Sequence, residues 1–385
     1  MDEKQLLMIP GPTPVPPAVL RACARPMMNH RGPEFKRILL ETHARLKQIF
    51  QCRNDVITLT ASGTGGLEAA IVNILSPGDA VLSVSIGSFG DRFAQIAAAF
   101  GATVEKMDFP WGQAANPDRV AERLKKDTKR EIKAVLVTQN ETSTGVANDV
   151  QTLAKIVKEH GALLMVDAIS SLIAMDCPTD AWGLDVVIAG SQKAFMIPPG
   201  LTFVALSDRA WKAYEQAKMP RFYWDFGKVR DTFASGETPW TPAVPQFCAL
   251  DVSLDLILTE GLEHCFKRHT AYGKAVRAAA EACGLKLFAD PKHGSPSVTA
   301  IWSPEGVHPK DLRKFMQDRY DIVTAGGQGK MKESIFRIGH LGYVSPTEIL
   351  ATTAAVGQGL KELGFQVDPA AGVRAAQTVL EEAKL

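Results

Sequence analysis

Ala189-Gly190-Ser191-Gln192-Lys193-Ala194-Phe195 is the stretch around which the rest of the chain is arranged. It follows Asp185-Val186-Val187-Ile188, an apolar, β-branched run that is typical of a buried strand. Behind it comes Ile197-Pro198-Pro199-Gly200, a rigid turn that cannot continue a helix. A lysine at the carboxyl end of a buried strand lies where open α/β sheets hold their ligands, and desolvation there lowers the pKa of the amine. The alternative is a strand-end lysine whose amine reaches solvent.

A second strand favours a functional role for that lysine. Ala162-Leu163-Leu164-Met165-Val166 is apolar and ends in Asp167, one connection and one strand before Lys193. Both side chains should therefore emerge at the same edge of one sheet. Pyridoxal phosphate (PLP) requires such a pair, because the lysine binds the aldehyde as a Schiff base and the aspartate keeps the pyridine nitrogen protonated. A structural ion pair is the alternative.

Length and composition predict an ordinary globular protein. The chain has 385 residues, 46% hydrophobic and 22% charged, which favours two domains. The formal net charge is +1, with 43 basic and 42 acidic residues, and no dense basic block predicts a nucleic-acid partner. No apolar run approaches the roughly 20 residues that span a bilayer, so no membrane association is expected.

Cysteine usage and the chain ends favour a cytoplasmic protein. The six cysteines are far apart and form no C-x-x-C pair, which indicates reduced thiols and no metal site. Met1-Asp2-Glu3-Lys4 lacks the profile of a secretion signal. Ala383-Lys384-Leu385 approaches the S-K-L peroxisomal signal, an alternative that applies only to a eukaryotic source.

A glycine-rich turn offers a phosphate site. The strand Val56–Thr60 leads into Ala61-Ser62-Gly63-Thr64-Gly65-Gly66 and then a helical run from Leu67 to Leu75. Exposed N–H groups, small hydroxyls and the positive end of a helix dipole suit a phosphate. Neither G-x-G-x-x-G nor a Walker motif is present, which disfavours dinucleotides and ATP. A tight connection without a ligand is the alternative.

Two later strand ends add candidate ligand-binding residues. Phe89, which follows the strand Ala80–Val84, could stack on a cofactor ring or simply belong to the core. The strand Ala134–Thr138 runs into Gln139-Asn140-Glu141-Thr142-Ser143-Thr144-Gly145, whose short polar groups suggest hydrogen bonds to a ligand, or capping of the next helix.

The alternation of strands and helices from 56 to 206 predicts an α/β fold with a doubly wound, mostly parallel sheet. We expect an extended arm over 1–20, a large domain over 21–260 and a smaller C-terminal α+β domain over 261–385. The small domain should carry strands near Lys286–Phe288, Val298–Trp302, Ile322–Val323 and Ile335–Ile338. Arg337 on the last of these could offer a bidentate fork to a carboxylate, or form a surface salt bridge.

Taken together, these stretches resemble the class V aminotransferases of fold type I, most closely the alanine–glyoxylate and serine–glyoxylate (serine–pyruvate) branch. The resemblance covers nearly the whole chain, and its motifs are Pro10-Gly11-Pro12-Thr13, Ser62-Gly63-Thr64-Gly65, Glu141-Thr142-Ser143-Thr144-Gly145, Val166-Asp167-Ala168, Gly190-Ser191-Gln192-Lys193-Ala194 and Phe336-Arg337-Ile338-Gly339. It implies a PLP-dependent homodimer whose active sites lie at the subunit interface.

The resemblance also implies a role for each site residue. Lys193 would form the Schiff base and Asp167 would pair with the pyridine nitrogen. Arg337 would receive the substrate carboxylate beside Gly11. The remaining cofactor-binding residues would be Thr64, Gly65, Gly66 and Gln192 near the phosphate, Phe89 on the ring, Thr142 near the phenolic oxygen, and Thr241 at the neighbouring subunit's phosphate. The sequence departs from relatives at Gly66, where some have histidine, and at Thr238, where an aromatic hydroxyl is expected.

The expected activity is transfer of an amino group from L-alanine or L-serine to glyoxylate or pyruvate. No second cationic group is obvious for a side-chain carboxylate, which favours small substrates. The alternatives are a 2-aminoethylphosphonate–pyruvate aminotransferase and a PLP-binding subunit without turnover. A cysteine desulfurase is disfavoured, because Thr324–Gly329 before the arginine strand contains no cysteine.

Overall fold

A computed structural model describes residues 5–384 of the chain. Residues 1–4, which argue against a secretion signal, and residue 385, the last of the peroxisome-like ending, lie outside the described residues. Among the described helices, none combines the length and apolar character needed to cross a bilayer.

The strands are short and are grouped in two main sheets and one small ribbon. In chain order they are β1 (Leu6–Met8), β2 (Val56–Ala61), β3 (Ala80–Ser85), β4 (Thr103–Asp108), β5 (Ile132–Thr138), β6 (Asn140–Glu141), β7 (Val146–Ala147), β8 (Leu163–Asp167), β9 (Val186–Gly190), β10 (Gly200–Leu206), β11 (Val298–Trp302), β12 (Ile322–Gly326) and β13 (Ile335–Gly339).

The helices alternate with the strands in the first half of the chain and predominate in the second half. They are α1 (Pro17–Cys23), α2 (Pro33–Phe50), α3 (Gly63–Ile74), α4 (Ser88–Ala99), α5 (Pro117–Lys126), α6 (Val150–His160), α7 (Thr179–Trp182), α8 (Asp208–Gln216), α9 (Phe226–Phe233), α10 (Val244–Glu260), α11 (Leu262–Ala282), α12 (Pro309–Tyr320), α13 (Pro346–Glu362) and α14 (Ala371–Ala383).

The larger sheet has seven strands in the order β2-β10-β9-β8-β5-β3-β4. Only β10 runs antiparallel to its neighbours, so the other strands share one direction. The inner strands are buried on both faces, as their continuous apolar runs predict. The carboxyl ends of β2, β3, β5, β8 and β9 therefore lie along one edge of the sheet.

The smaller sheet has four strands in the order β1-β12-β13-β11. β1 pairs in parallel with β12, with Leu6 opposite Ile322 and Met8 opposite Thr324. The start of the chain is therefore a strand of this sheet. Helix α1 then begins at Pro17, so the extended part of the predicted arm ends before that residue.

Each sheet has its own hydrophobic core. Phe203, Ile188 and Leu82 belong to the cluster around the seven-stranded sheet. Phe336 and Leu360 belong to a second cluster around the four-stranded sheet, which also contains Met8 of β1. The domain bounds 1–20, 21–260 and 261–385 stay predictions, with Gly261 standing between α10 and α11.

Several local expectations differ from the structure. Residues 103–108 form the edge strand β4, which has no continuous apolar run because most of its side chains are exposed or half-buried. Around Lys286–Phe288 there is only an isolated bridge from Leu287 to Ile301, and no strand. The aromatics and prolines of residues 220–245 predict irregular structure, but the segment contains α9. The apolar run from Leu250 predicts a helix, which in the structure already begins at Val244.

Candidate active site

Lys193 lies directly beyond β9 and is almost wholly buried, with 9% of its surface exposed. Its Nζ donates a hydrogen bond to the carbonyl oxygen of Pro10 at 2.5 Å. Burial and, to a smaller extent, the charge of Arg337 lower the pKa of the amine, Asp167 opposes that change, and the resulting pKa is about 8. About one amine in ten is then unprotonated at pH 7, which makes Lys193 an available nucleophile.

Asp167 is the last residue of β8, which is the neighbour of β9. Its side chain is 3% exposed, and Oδ1 accepts a hydrogen bond from the Ile169 N–H at 2.9 Å. Burial, with a smaller contribution from the nearby carboxyl of Glu141, raises the pKa of Asp167 to about 7, and the hydrogen bond from Ile169 opposes that rise. A carboxyl with this pKa can share a proton with a basic ring nitrogen at neutral pH.

A narrow cleft of about 100 Å³ brings most of the predicted residues together. Its lining comprises Ser62, Gly63, Thr64, Leu67, Phe89, Arg92, Asn140, Thr142, Asp167, Ile169, Ser170, Gln192 and Lys193. The segments that follow β2, β3, β5, β8 and β9 each contribute to it. A larger groove of about 1000 Å³ lies at the opposite edge, between Lys133, Leu163 and Arg209, and contains neither Lys193 nor Asp167.

One end of the cleft has the features of an anion site. Helix α3 begins there, and its N-cap residue Ser62 makes no side-chain capping hydrogen bond. Thr64 stands in the first turn, and the buried Oε1 of Gln192 has no hydrogen-bond partner among the described residues. Arg92 reaches to 3.5 Å from the Thr64 hydroxyl. Orphan N–H groups, a hydroxyl and a guanidinium suit a phosphate.

Three residues predicted to bind the cofactor do not line the cleft. A Cβ at Gly65 would lie 2.8 Å from Ala61 Cβ and 3.2 Å from Trp224, and a Cβ at Gly66 would lie 2.2 Å from the Thr202 hydroxyl. These two glycines therefore allow α3 to pack closely on β2 and β10. Thr241 is exposed at another surface depression, beside Tyr223 and Trp240.

Phe89 lines the cleft as the second residue of α4 and is half-buried. The guanidinium of Arg92 lies over its ring, 4.8 Å from the centroid. Arg92 is a cation that sequence reasoning missed, because only the helical i, i+3 spacing from Phe89 indicates it. No second cation is obvious from the sequence, and the structure places the guanidinium of Arg92 at the cleft.

Thr142 follows β6 and takes part in a buried chain of hydrogen bonds. Its hydroxyl donates to Ser170 Oγ at 2.8 Å, and Ser170 Oγ donates to the Asn140 carbonyl at 3.0 Å. Asn140 Nδ2 donates to Ser297 Oγ at 2.8 Å, which joins the cleft to the segment before β11. This network fixes one wall of the cleft.

Arg337 extends from β13 toward the large sheet and is 5% exposed. Its Nε donates to the Gly326 carbonyl and its Nη1 to the Thr142 carbonyl, both at 2.8 Å. No carboxylate lies within 4 Å of it in residues 5–384, so it forms none of the described salt bridges. Burial lowers the pKa of Arg337 to about 10, which leaves a charged guanidinium without a carboxylate partner at neutral pH.

The segment after β1 touches the reactive lysine. Gly11 has φ +122°, and a Cβ there would lie 2.7 Å from Lys193 Cδ and 2.8 Å from its Nζ. Thr13 N donates to the Gln192 carbonyl at 3.1 Å, and Thr13 Oγ1 donates to the Lys193 carbonyl at 2.9 Å. Gly11 therefore lies against the Lys193 side chain, where a larger residue would not fit.

The chain belongs to the class V aminotransferases, because the family model "Aminotransferase class-V" matches residues 6–340. Members of this class depend on PLP, and the residues of the cleft fit that cofactor. The buried, partly neutral Lys193 suits an aldehyde, Asp167 suits a ring nitrogen, and the start of α3 with Thr64 and Arg92 suits a phosphate. The chain is therefore a PLP-dependent aminotransferase.

Curated relatives match along the whole chain. It is 47% identical to the "Soluble hydrogenase, small subunit" of Synechococcus sp. (strain PCC 6716) over 385 residues, which is all of both chains. It is 39% identical to a serine–glyoxylate aminotransferase of Hyphomicrobium methylovorum, with 96% of this chain and 93% of that one covered. It is 38% identical to an L-aspartate–glyoxylate aminotransferase of Paracoccus denitrificans, with 98% and 96% covered.

A solved structure supports the same assignment. Pyridoxamine–pyruvate aminotransferase of Mesorhizobium loti superposes with a TM-score of 0.94 at 30% identity, over 98% of this chain and 97% of that one. This is fold type I, with the α/β architecture that the sequence predicts.

Within residues 5–384, no three His, Cys, Asp or Glu side chains come close enough to hold a metal ion.

Proposed function

We propose that this enzyme transfers the amino group of a small L-amino acid, L-alanine or L-serine, to glyoxylate or pyruvate. The observation that carries the proposal is Arg337, a buried guanidinium with no carboxylate partner among the described residues, whose charge acts on the Lys193 amine. A 2-amino acid and a 2-oxo acid share one carboxylate next to the reacting carbon, and a single planar fork can bind both.

Each cleft residue has a part in that reaction. Bound PLP supplies an aldehyde that condenses with amines and a ring that withdraws electrons from the attached carbon. Lys193 Nζ would hold that aldehyde and, once released, would move the proton of the donor's Cα. Asp167 would keep the ring nitrogen protonated, and Arg337 would bind and orient the substrate carboxylate.

The size of the cleft supports a short side chain. The subunit leaves about 100 Å³ beside Lys193, and PLP would occupy much of that space. Thr142 and Ser170 are already bonded to each other, so the wall that they form offers a shallow polar surface. Two-carbon and three-carbon acids fit such a space better than long-chain acids do.

Arg92 supports a second candidate donor. It is an exposed cation at the cleft, and it forms no salt bridge among the described residues. A dicarboxylic donor such as L-aspartate would place its second carboxylate on a cation of this kind. The Paracoccus relative is named for that donor, whereas the Hyphomicrobium relative is named for serine.

A donor panel tests the proposal. L-Alanine, L-serine, L-aspartate and 2-aminoethylphosphonate are each paired with glyoxylate and with pyruvate, and Lys193→Ala is the control without turnover. The highest kcat/KM is expected for L-alanine or L-serine with glyoxylate. A higher value for L-aspartate that falls in Arg92→Gln, while the L-alanine value and the PLP affinity stay unchanged, would transfer the proposal to the acidic donor. Turnover of 2-aminoethylphosphonate alone would overturn both.

The same proposal includes a homodimer with active sites at the interface. Phe222, Tyr223 and Trp240 stack on one another at the surface, and Phe222 is 68% exposed. Thr241 is also exposed and follows this aromatic cluster directly in the chain. Exposed aromatic clusters are typical of surfaces that bind another protein, and a second copy would bring Thr241 to its partner's cofactor.

We also propose a cytoplasmic location. All six cysteines carry free thiols, and four of them are buried. Reduced cysteines are typical of proteins that fold inside the cell. Cell fractionation with an antibody tests this, and recovery of the enzyme in organelles or the medium would contradict it.

A further inference from the structure

Glu141 is a fully buried carboxyl group with hydrogen bonds on both oxygens. Its Oε2 accepts from the N–H groups of Phe89 and Gly90, each at 3.0 Å. Its Oε1 accepts from Ser143, from the N–H at 3.0 Å and from the hydroxyl at 2.5 Å. Burial raises the pKa of Glu141, whereas the hydrogen bonds from Ser143, Gly90 and Phe89 lower it. All these partners are donors, so their arrangement favours the ionised carboxylate.

These bonds supply the cap that α4 lacks in its own sequence. Its N-cap residue is Gly87, which has no side chain to accept a hydrogen bond. Ser88 N donates to Ser143 Oγ at 2.9 Å, and Glu141 accepts from the next two N–H groups. The first turn of α4 is thus capped by a turn more than 50 positions along the chain.

Space for the carboxyl depends on Gly87. A Cβ there would lie 2.5 Å from Glu141 Cδ, so any larger residue would displace the carboxyl from the end of the helix. The negative charge meets the positive end of the α4 dipole, and no cation lies within 4 Å of it among the described residues. The helix end is therefore its principal electrostatic partner.

The turn that carries Glu141 also holds Arg337. Thr142, the next residue, offers its carbonyl oxygen to Arg337 Nη1 at 2.8 Å. The Glu141 charge favours the charged form of Arg337 and raises the pKa of Asp167. One short segment thus connects the residue at the cofactor ring, Phe89, with the guanidinium at the substrate carboxylate.

We propose that Glu141 is a positioning residue for transamination: its buried carboxylate fixes Phe89 at the start of α4 and, through the same turn, the guanidinium of Arg337. It touches neither cofactor nor substrate and acts through those two side chains. The inference rests on PLP binding and not on which donor is used.

The experiment compares Glu141→Gln with Glu348→Gln. Glu348 is a matched control, because its carboxylate accepts from the N–H of Ser345 at 2.7 Å in the capping box of α13, in the small-sheet half of the molecule. In Glu141→Gln the amide NH₂ must face N–H or O–H donors, so part of the cap is lost. Both variants change a helix-capping carboxyl to an amide, and only the first lies next to the active site.

Three measurements separate positioning from plain structural loss. In Glu141→Gln the visible circular dichroism of bound PLP should fall by roughly half or more, because a displaced Phe89 changes the asymmetric surroundings of the cofactor ring. The Kd for PLP and the donor KM should each rise on the order of tenfold to a hundredfold. Amide exchange in 88–93 should accelerate about tenfold. Glu348→Gln should leave the first two readouts within twofold of wild type.

The proposal is overturned if Glu141→Gln keeps the dichroism and the PLP affinity of wild type, or if Glu348→Gln changes them equally. Should Glu141→Gln not fold, Ser143→Ala decides, because it removes the bond to Ser88 N and one bond to Glu141. A folded Ser143→Ala protein with unchanged dichroism would also end the proposal. An enzyme that fails the donor panel but binds PLP still gives the dichroism and affinity readouts, so the two failures are distinguishable.

Discussion

Lys193 and Asp167 carry pKa values that burial displaces in opposite directions, to about 8 and about 7. Burial penalises the charged form of each group, so the amine becomes less basic and the carboxyl less acidic. Both groups then exchange protons near neutral pH, which is what proton transfer at a substrate carbon requires. The same burial has a cost in stability that can be measured.

Replacing Asp167 by Asn should stabilise the cofactor-free protein while abolishing most of its activity. Between pH 4 and 7 the folded protein keeps a proton on Asp167 that the unfolded chain releases, so this group lowers stability as pH rises. Above about pH 7 the decrease in the free energy of unfolding is complete and amounts to roughly 4 kcal/mol. Asn keeps an oxygen for the Ile169 N–H and has no charge to bury.

Thermal unfolding of both cofactor-free proteins across pH 4 to 8 measures this effect. The Tm of Asp167→Asn should exceed that of wild type increasingly as pH rises, and kcat/KM with PLP should fall on the order of a hundredfold. If the Tm of the two proteins changed in parallel with pH, the raised pKa of the buried Asp167 carboxyl would be contradicted.

Arg337→Lys should weaken binding of the substrate carboxylate without affecting the cofactor. An ammonium cannot offer the planar fork, nor donate to both the Gly326 and Thr142 carbonyls as the guanidinium does. Loss of a charged hydrogen bond should raise the donor KM roughly 10- to 100-fold. The visible spectrum of bound PLP serves as the control, and a wild-type KM would remove Arg337 from the substrate site.

The segment that follows β1 is the element that connects the two sheets at the active site. Leu6–Met8 pairs with β12, and two residues later the Pro10 carbonyl holds Lys193 Nζ. Thr13 closes this contact by bonding to the Lys193 carbonyl. The reactive amine is therefore positioned partly by the strand that begins the chain.

Gly11→Ala should disrupt this contact more than an equivalent change elsewhere. Gly11 and Gly78 both have positive φ, but a Cβ at Gly78 would meet nothing within 4 Å. Each variant should lose about 1 kcal/mol of stability from backbone strain. Only Gly11→Ala should also bind PLP poorly, because its methyl group displaces Lys193. Absorbance titration with PLP and thermal unfolding of both variants distinguish the two effects, and equal PLP affinities would count against the role of this segment.

At the scale of the whole molecule, one subunit leaves Thr241 and the aromatic cluster around Trp240 exposed. A symmetric dimer would bury such a patch against its own copy and complete two equivalent sites. This arrangement predicts that defects in different subunits complement each other.

Hybrid dimers of Lys193→Ala and Thr241→Glu should regain activity that neither variant has alone. In the hybrid, one site combines an intact Lys193 from one subunit with an intact Thr241 from the other. Random reassociation should restore about a quarter of the wild-type activity, since half of the dimers carry one complete site. Absence of recovery, with each variant folded and dimeric by light scattering, would place Thr241 outside the active site.

The chain order of strands and the residues at their ends were predictable because they depend on local patterns. Continuous apolar runs define β5, β8 and β9, and the residues just beyond parallel strands must lie at one edge of the sheet. The edge strand β4 was not predicted, because its exposed side chains lack an apolar run. The short β1 was not predicted either, because its hydrogen bonds go to a strand more than 300 residues away.

The sequence alone indicated the family and its cofactor, through the motifs that resemble class V aminotransferases. It also predicted the pair Lys193 and Asp167, because both residues stand at the ends of buried strands. Only the tertiary structure decided which further side chains reach that pair. Glu141 caps a helix from another part of the chain, Arg92 lies over Phe89 at the cleft, and Gly66 packs on Thr202 instead of lining the cleft. Such contacts are set by the packing of distant segments, which no local pattern in the chain records.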